Sequence, residues 1–186
     1  MNPINSMRII AVGGTIDAEK YDFAEGKVLE FGEPAVKNIL KTGRVRNLDI
    51  SPSEPIKNDD ADIFILPQKD SLEMTDEDRQ RILDVCLMDT RERILITHGT
   101  DTMAKTGELL SEKIKNKTIV LTGAMRPNKA PDSDAPFNLG GAIIACQTLP
   151  PGVYIVMQGE IFPIPNVRKI KHNGEGFFET ILAKGE

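Results

Sequence analysis

Residues 94–102 read ILITHGTDT, a stretch that marks a change from a buried strand to a polar loop. It opens with three apolar residues, two of them β-branched, as is typical of a strand buried in a sheet. Five of the next six positions are polar. Helix capping explains one such residue but not five. Because open parallel sheets bind ligands beyond the carboxyl ends of their strands, the pattern predicts a ligand crevice here.

Residues 9–16, IIAVGGTI, show the same change from an apolar strand to a polar end. Gly13 and Gly14 allow positive φ angles and close backbone approach, and they place Thr15 at the end of the strand. An ordinary turn and a phosphate-cradling loop both use such glycines. A dinucleotide-binding fingerprint needs GxGxxG leading into a helix, whereas this chain continues GGTIDAE. The motif alone leaves the role of Thr15 open.

Short β-branched runs alternate with longer amphipathic segments along the chain. The predicted strands are residues 8–12, 45–50, 63–66, 93–97, 118–122 and 153–157. The predicted helices are residues 33–41, 75–88, 102–115 and 136–148, and two unusually polar loops are expected at 17–27 and 126–134. This βαβ alternation predicts an α/β fold, a Rossmann-like three-layer sandwich with a mainly parallel central sheet.

Length and composition favour one globular domain over residues 1–186. With 40% hydrophobic and 27% charged residues, the chain suffices for one sizeable core and not for two. The net charge of −5 argues against a nucleic-acid partner, because phosphate contacts need clustered Lys and Arg. The chain shows neither a signal-peptide pattern nor a run of about 20 apolar residues, so we expect a cytoplasmic protein without a membrane partner.

Cys86 and Cys146 are the only cysteines. Both lie in apolar predicted helices, which favours buried reduced thiols over a disulfide. We predict no metal site, because the chain has no CxxC or paired-His spacing. His98 is expected to bridge backbone groups at the end of its strand.

A third polar stretch, DSLEMT at residues 70–75, lies between a predicted strand and a predicted helix. Thr75 and Asp78 form a capping-box pattern that satisfies the first free N–H groups of that helix. This capping leaves Ser71 and Glu73 unexplained, so both are candidates for a site.

A hydroxyl nucleophile needs a base close by, often oriented by a third group. A lysine serves as that base when its surroundings favour the neutral amine, and a carboxylate beside it fixes its position. The chain offers Thr15, Thr100, Asp101 and several lysines, with only two histidines. A threonine–lysine–aspartate relay is therefore consistent with the residues, although their spacing alone does not establish it.

Four separated motifs resemble the bacterial-type L-asparaginase family. They are GGTI at 13–16, THGTDT at 97–102, TGAMRP at 122–127 and DAPFNL at 134–139. Their number and order make the resemblance specific, and it runs from residue 7 to at least residue 169. It implies an amidohydrolase without a metal or organic cofactor, acting on a small-molecule amide, with L-asparagine as the expected substrate.

The resemblance also implies residue roles. Thr15 would be the nucleophile, and Thr100 and Asp101 would manage protons together with Lys169, for which Lys171 is the reserve candidate. The family uses a tyrosine in the loop after GGTI; counting back from GKV at 26–28 favours the position of Phe23, and the chain carries Tyr21 two residues earlier. A simple apolar latch is the alternative role for both aromatic residues.

For the substrate, the resemblance implies that Ser71 holds the α-carboxylate, Asp101 holds the α-ammonium and backbone N–H groups near Ala124 stabilise the oxyanion. Besides Asp101, the expected substrate-binding residues are Gly14, Ser71, Glu73, Gly99, Ala124 and Met125.

The chain has about half the length of a typical family member, so we expect the family's second domain to be absent. The missing pocket groups would then come from the chain's own tail or from another subunit of a homo-oligomer. Loss of such groups would relax selectivity between asparagine, glutamine and other amides. The alternatives to asparagine hydrolysis are therefore a hydrolase of glutamine or another amide, and a non-catalytic amino-acid-binding or sensor module.

Overall fold

The structure of the protein is a computed structural model that describes residues 7–45, 63–172 and 175–181. The strands in these residues form a central sheet and two hairpins. In chain order the strands are β1 (Met7–Gly13), β2 (Ala18–Asp22), β3 (Lys27–Phe31), β4 (Ile63–Lys69), β5 (Arg93–Thr97), β6 (Thr118–Thr122), β7 (Gly152–Met157), β8 (Glu160–Pro163), β9 (Val167–His172) and β10 (Glu175–Thr180). The central sheet has the order β4-β1-β5-β6-β7-β8. Its first five strands pair in parallel, and β8 adds to the edge in the antiparallel sense.

Within the described residues, four helices cover the two faces of this sheet. They are α1 (Ala35–Thr42), α2 (Asp76–Met88), α3 (Met103–Lys113) and α4 (Ala135–Thr148). Successive strand residues point to opposite faces, so Ile9 belongs to the core under α1 and α4, whereas Ile10 belongs to the core under α2 and α3. The predicted α/β sandwich with a mainly parallel sheet is confirmed. The predicted strand at 45–50 lies almost wholly outside the described residues.

Local sequence signals explain the helix boundaries. Thr75 accepts a hydrogen bond from the Asp78 N–H and the Asp78 side chain accepts from the Thr75 N–H, which confirms the predicted capping box. Cys86 and Cys146 are free and buried within α2 and α4, as predicted. Ile144 is 61% exposed although it follows the buried Ile143, because neighbours on a helix point about 100° apart.

Two hairpins depart from the sequence prediction. The stretch predicted as a polar loop at 17–27 is largely the hairpin of β2 and β3, in which Tyr21 pairs with Val28. Its polar composition misled the prediction because most of its residues face solvent, while Ala18 and Val28 are buried. β9 and β10 form a second hairpin, near the end of the chain. None of the helices in the described segments is long and apolar enough to cross a membrane.

Candidate active site

The loop after β1 is shaped by two glycines in left-handed backbone conformations. Gly13 has φ 98° and Gly14 has φ 86°, a region that residues with a Cβ rarely adopt. Gly13 lies against the backbone of Lys69, and Gly14 lies against the backbone of Gly99 in the loop after β5. The chain therefore brings the GGTI and THGTDT segments into direct backbone contact.

Thr15 begins a short 3-10 turn, Thr15–Asp17, and is half-buried at the carboxyl end of β1. Its side chain lies beside the hydroxyl of Tyr21 of β2. Burial raises the pKa of the Tyr21 hydroxyl, the Thr15 side chain opposes that rise, and the negative charges of Asp101 and Asp70 add to it. Tyr21 is therefore close to the first threonine, and the carboxylates of Asp101 and Asp70 act on it.

Phe23 occupies a different place from Tyr21. Its ring is 61% exposed and meets the Tyr21 ring edge-on, with centroids 5.1 Å apart. The Arg126 guanidinium lies 5.7 Å from the centre of the Phe23 ring. Of the two aromatic residues, Tyr21 is therefore the one beside Thr15, and Phe23 packs against it from outside.

A lysine joins the two polar residues of the THGTDT segment. The Lys169 ammonium donates hydrogen bonds to Thr100 Oγ1 and to Asp101 Oδ1, each at 2.7 Å. The Lys169 side chain is 16% exposed and that of Asp101 is 35% exposed, so the pair is partly shielded from water. Lys171, the reserve candidate, is exposed.

Ser71 and Asp101 form the next contact of the cluster. Ser71 is 1% exposed, and its hydroxyl accepts the Asp101 N–H at 3.2 Å and lies 3.5 Å from Asp101 Oδ2. Thr102 donates its hydroxyl to the Ser71 carbonyl at 2.8 Å. The Glu73 side chain is instead 62% exposed and pairs with Lys27 at 3.7 Å, so the structure does not bring it into the cluster.

The TGAMRP loop is held by an aspartate of the DAPFNL motif. Asp134 accepts the N–H groups of Met125 and Arg126 at 3.0 Å. Because the Met125 N–H is already committed to Asp134, it is not available to a substrate. Ala124, the residue before it, is 1% exposed.

His98 has a structural environment, as expected, although only one of its two partners is a backbone group. It is fully buried; its Nδ1 lies 2.8 Å from the Gly99 carbonyl oxygen, and its Nε2 lies 2.8 Å from the Thr106 hydroxyl. A carbonyl only accepts, so Nδ1 carries the proton and Nε2 accepts from Thr106. Burial lowers the pKa of His98 to about 4.

Asp17 is a buried acid that none of the sequence motifs singled out. Its carboxylate accepts the Ala35 N–H at 2.8 Å and the Gln68 amide at 3.2 Å, and so ties the Thr15 turn to α1 and β4. Burial raises the pKa of Asp17 to about 6. The available signal was an acid directly after the GGTI motif. Among the described residues, no group of three or more His, Cys, Asp or Glu side chains lies together as a metal site would require.

The fold and the site together define a class of protein. It is an α/β protein in which threonine hydroxyls and an aspartate carboxylate lie at the carboxyl ends of parallel strands, and a lysine hydrogen-bonds to one of these hydroxyls and to the carboxylate. More particularly, the chain belongs to the asparaginase family, because the family described as Asparaginase, N-terminal, matches residues 6–184.

Individual relatives support the same assignment. The thermostable L-asparaginase from Thermococcus kodakarensis superposes with a TM-score of 0.73 and 28% identity, covering 94% of this chain and 50% of that one. L-asparaginase 2 of Escherichia coli is 28% identical over 95% of this chain and 49% of its own length. A glutamyl-tRNA(Gln) amidotransferase polypeptide of Methanococcus vannielii is 46% identical over 38% of this chain and 17% of its own length. The chain spans about half the length of these two asparaginases.

Proposed function

We propose that this chain carries the nucleophilic centre of an amidohydrolase that releases ammonia from the side-chain amide of L-asparagine. The observation that carries the proposal is the Lys169 ammonium, 2.7 Å from both the Thr100 hydroxyl and the Asp101 carboxylate. The backbone contact of Gly14 with Gly99 holds this trio beside the Thr15 loop. A hydroxyl nucleophile needs such a proton-handling group nearby.

The proposed reaction has two acyl-transfer steps. In the first, Thr15 Oγ1 bonds to the amide carbon and the carbon–nitrogen bond breaks; the threonine proton passes to the nitrogen, which leaves as ammonia. In the second, water adds to the ester carbon, the bond to Thr15 breaks, and L-aspartate leaves with the threonine hydroxyl restored. Tyr21 contributes the hydroxyl beside Thr15, and Thr100 with Lys169 accepts the proton of the attacking water.

The proposed substrate-binding roles rest on the same contacts. Asp101 is the proposed partner of the α-ammonium group, and the buried Ser71 beside it is the proposed partner of the α-carboxylate. The Ala124 N–H is the proposed oxyanion donor, in place of the Met125 N–H that Asp134 already binds. Glu73 is not among the proposed substrate contacts, because its side chain faces solvent. A single catalytic domain over residues 1–186, a cytoplasmic location and a homo-oligomer remain predictions.

A second candidate is a hydrolase whose ammonia serves an acceptor elsewhere. It is favoured by the similarity to the glutamyl-tRNA(Gln) amidotransferase polypeptide over 71 residues. Assays with L-asparagine and L-glutamine in parallel separate the two candidates, because the leading proposal predicts the higher kcat/KM for asparagine. A ratio in favour of glutamine supports the second candidate.

The central test measures ammonia release by four variants. Thr15→Ala should abolish release, and Lys169→Met should lower kcat by about a hundredfold or more. Lys171→Met is the matched control, since Lys171 lies two residues further along the same strand and is exposed; its kcat should stay at the wild-type value. Thr15→Ser keeps a hydroxyl and should retain part of the activity.

The result that refutes the nucleophile assignment is undiminished ammonia release by Thr15→Ala. Calorimetry distinguishes the sensor alternative: tight binding of L-aspartate by a wild-type protein that forms no product over long incubation favours a binding module.

A further inference from the structure

We propose that Gln158 is a positioning residue that places the Lys169 hairpin against the TGAMRP loop. The proposal rests on the proposed function of the Thr15 centre. Gln158 belongs to the turn between β7 and β8 and has φ 55°, a left-handed conformation that Gly and Asn adopt more readily. A residue that keeps an unfavourable backbone conformation often has a specific role, and for Gln158 the long amide side chain is the group that could provide it.

The backbone of Gln158 is anchored to the DAPFNL motif. Its N–H donates to Asn138 Oδ1 at 2.9 Å. The Asn138 amide in turn donates to the Gly123 carbonyl at 3.1 Å and to Asp134 Oδ2 at 2.8 Å. Since Asp134 also binds the N–H groups of the TGAMRP loop, the turn at Gln158 is fixed to that loop through Asn138.

The side chain of Gln158 reaches the hairpin of β9 and β10. Its Nε2 donates to the Gly176 carbonyl at 2.9 Å. A Cβ on Gly176 would lie 2.7 Å from Lys169 Cε and 3.1 Å from Met125 Sδ, so the Lys169 stem runs directly over this glycine. The bond from Gln158 therefore holds the surface on which the Lys169 side chain lies.

The hairpin needs such a tie because, among the described residues, β9 and β10 form a separate two-stranded sheet without ladder hydrogen bonds to the central sheet. Apolar contact supplies part of its attachment, with the rings of Phe162 and Phe178 6.1 Å apart. Apolar contacts are non-directional, whereas the amide bond of Gln158 fixes position along the strand. A small shift of the hairpin would move the Lys169 ammonium away from Thr100.

The test compares Gln158→Gly and Gln158→Glu with Arg44→Gly. The glycine variant keeps the backbone bond to Asn138 and relieves the positive φ, while the glutamate variant keeps the shape and loses the donor. We expect kcat to fall about tenfold or more in both, with KM nearly unchanged. Arg44 also has a positive φ, 52°, and is exposed; its glycine variant is the control for backbone relief and should keep wild-type kcat.

Two further measurements separate positioning from a merely structural role. The urea midpoint of Gln158→Gly should not fall, because glycine suits the left-handed backbone. Amide hydrogen exchange should become faster in β9 and β10 and stay the same in β5. A kcat close to wild type in both variants, or unchanged exchange in the hairpin, overturns the proposal.

Hydrogen exchange does not depend on turnover. If the wild-type protein releases no ammonia, the proposed function fails. The exchange rates alone then test whether the hydrogen bond from Gln158 to Gly176 holds the hairpin in place. Faster exchange in the hairpin of Gln158→Gly supports it, and unchanged exchange refutes it.

Discussion

Gly14 and Gly99 meet backbone to backbone: a Cβ on Gly14 would lie 2.3 Å from the Gly99 Cα. No side chain fits between the two loops, and the φ of Gly14, 86°, excludes most residues independently. This contact puts Thr15 and Thr100 on adjoining loops although they are far apart in sequence. The proposed chemistry depends on it.

The first prediction concerns this contact. Gly14→Ala should lower the free energy of unfolding by about 2–5 kcal/mol, from backbone strain and overpacking, and abolish ammonia release. Gly140→Ala is the control, because a Cβ there meets nothing within 4 Å and the residue lies within α4. It should raise the free energy of unfolding by about 0.5–1 kcal/mol. Urea titration measures both. Equal stability of the two variants would contradict the packing argument.

The second prediction concerns the hydroxyl beside Thr15. Tyr21→Phe removes the hydroxyl that lies beside Thr15 and should reduce kcat by about a hundredfold. Phe23→Leu keeps an apolar group against Tyr21 and should change kcat little, because the Phe23 ring packs from outside. Steady-state ammonia assays test the pair. A larger loss in Phe23→Leu than in Tyr21→Phe would reverse the assignment of these two residues.

The third prediction concerns the protonation of His98. Since burial lowers its pKa to about 4, the ring should remain neutral, with the proton on Nδ1, throughout the range from about pH 5 to about pH 8. The native state then binds fewer protons than the unfolded state between the two pKa values, so the contribution of His98 to stability is present above about pH 6.5 and is lost as pH falls towards 4. Nitrogen-15 NMR of the two histidines reports both tautomer and charge. A His98 ring that titrates near pH 6.5 would contradict this environment.

The fourth prediction concerns Asp17. Its pKa is raised to about 6 from 3.8, so the native state holds the proton more tightly than the unfolded state. Stability from Asp17 is therefore present below about pH 4 and is lost as pH rises through 6, by about 3 kcal/mol at most. Asp17→Asn removes this titration while His98 still titrates in both proteins. The difference in unfolding free energy between variant and wild type should thus move in favour of the variant from about pH 4 to about pH 7. A difference that is constant with pH would show that Asp17 is not the titrating group.

The sequence was most informative where local chemistry and burial coincide. The apolar runs of β1, β5 and β6 predicted buried parallel strands, and each is almost entirely inaccessible to solvent. The threonine capping box of α2 was also readable, since it depends on residues three positions apart. The hairpin of β2 and β3 was not, because a strand pair that is mostly exposed has no apolar alternation to reveal it.

The α/β class could be predicted from the chain alone, and so could Thr15, Thr100 and Asp101 as polar candidates that follow buried strands. The contact of Lys169, rather than Lys171, with Thr100 joins residues 69 positions apart and becomes visible only in the folded protein. The spacing of apolar residues shows which side of a single element is buried, because side chains repeat about every two residues in a strand and every 3.6 residues in a helix. Which side chains then meet across different elements depends on how those elements pack, and no period within the chain encodes that.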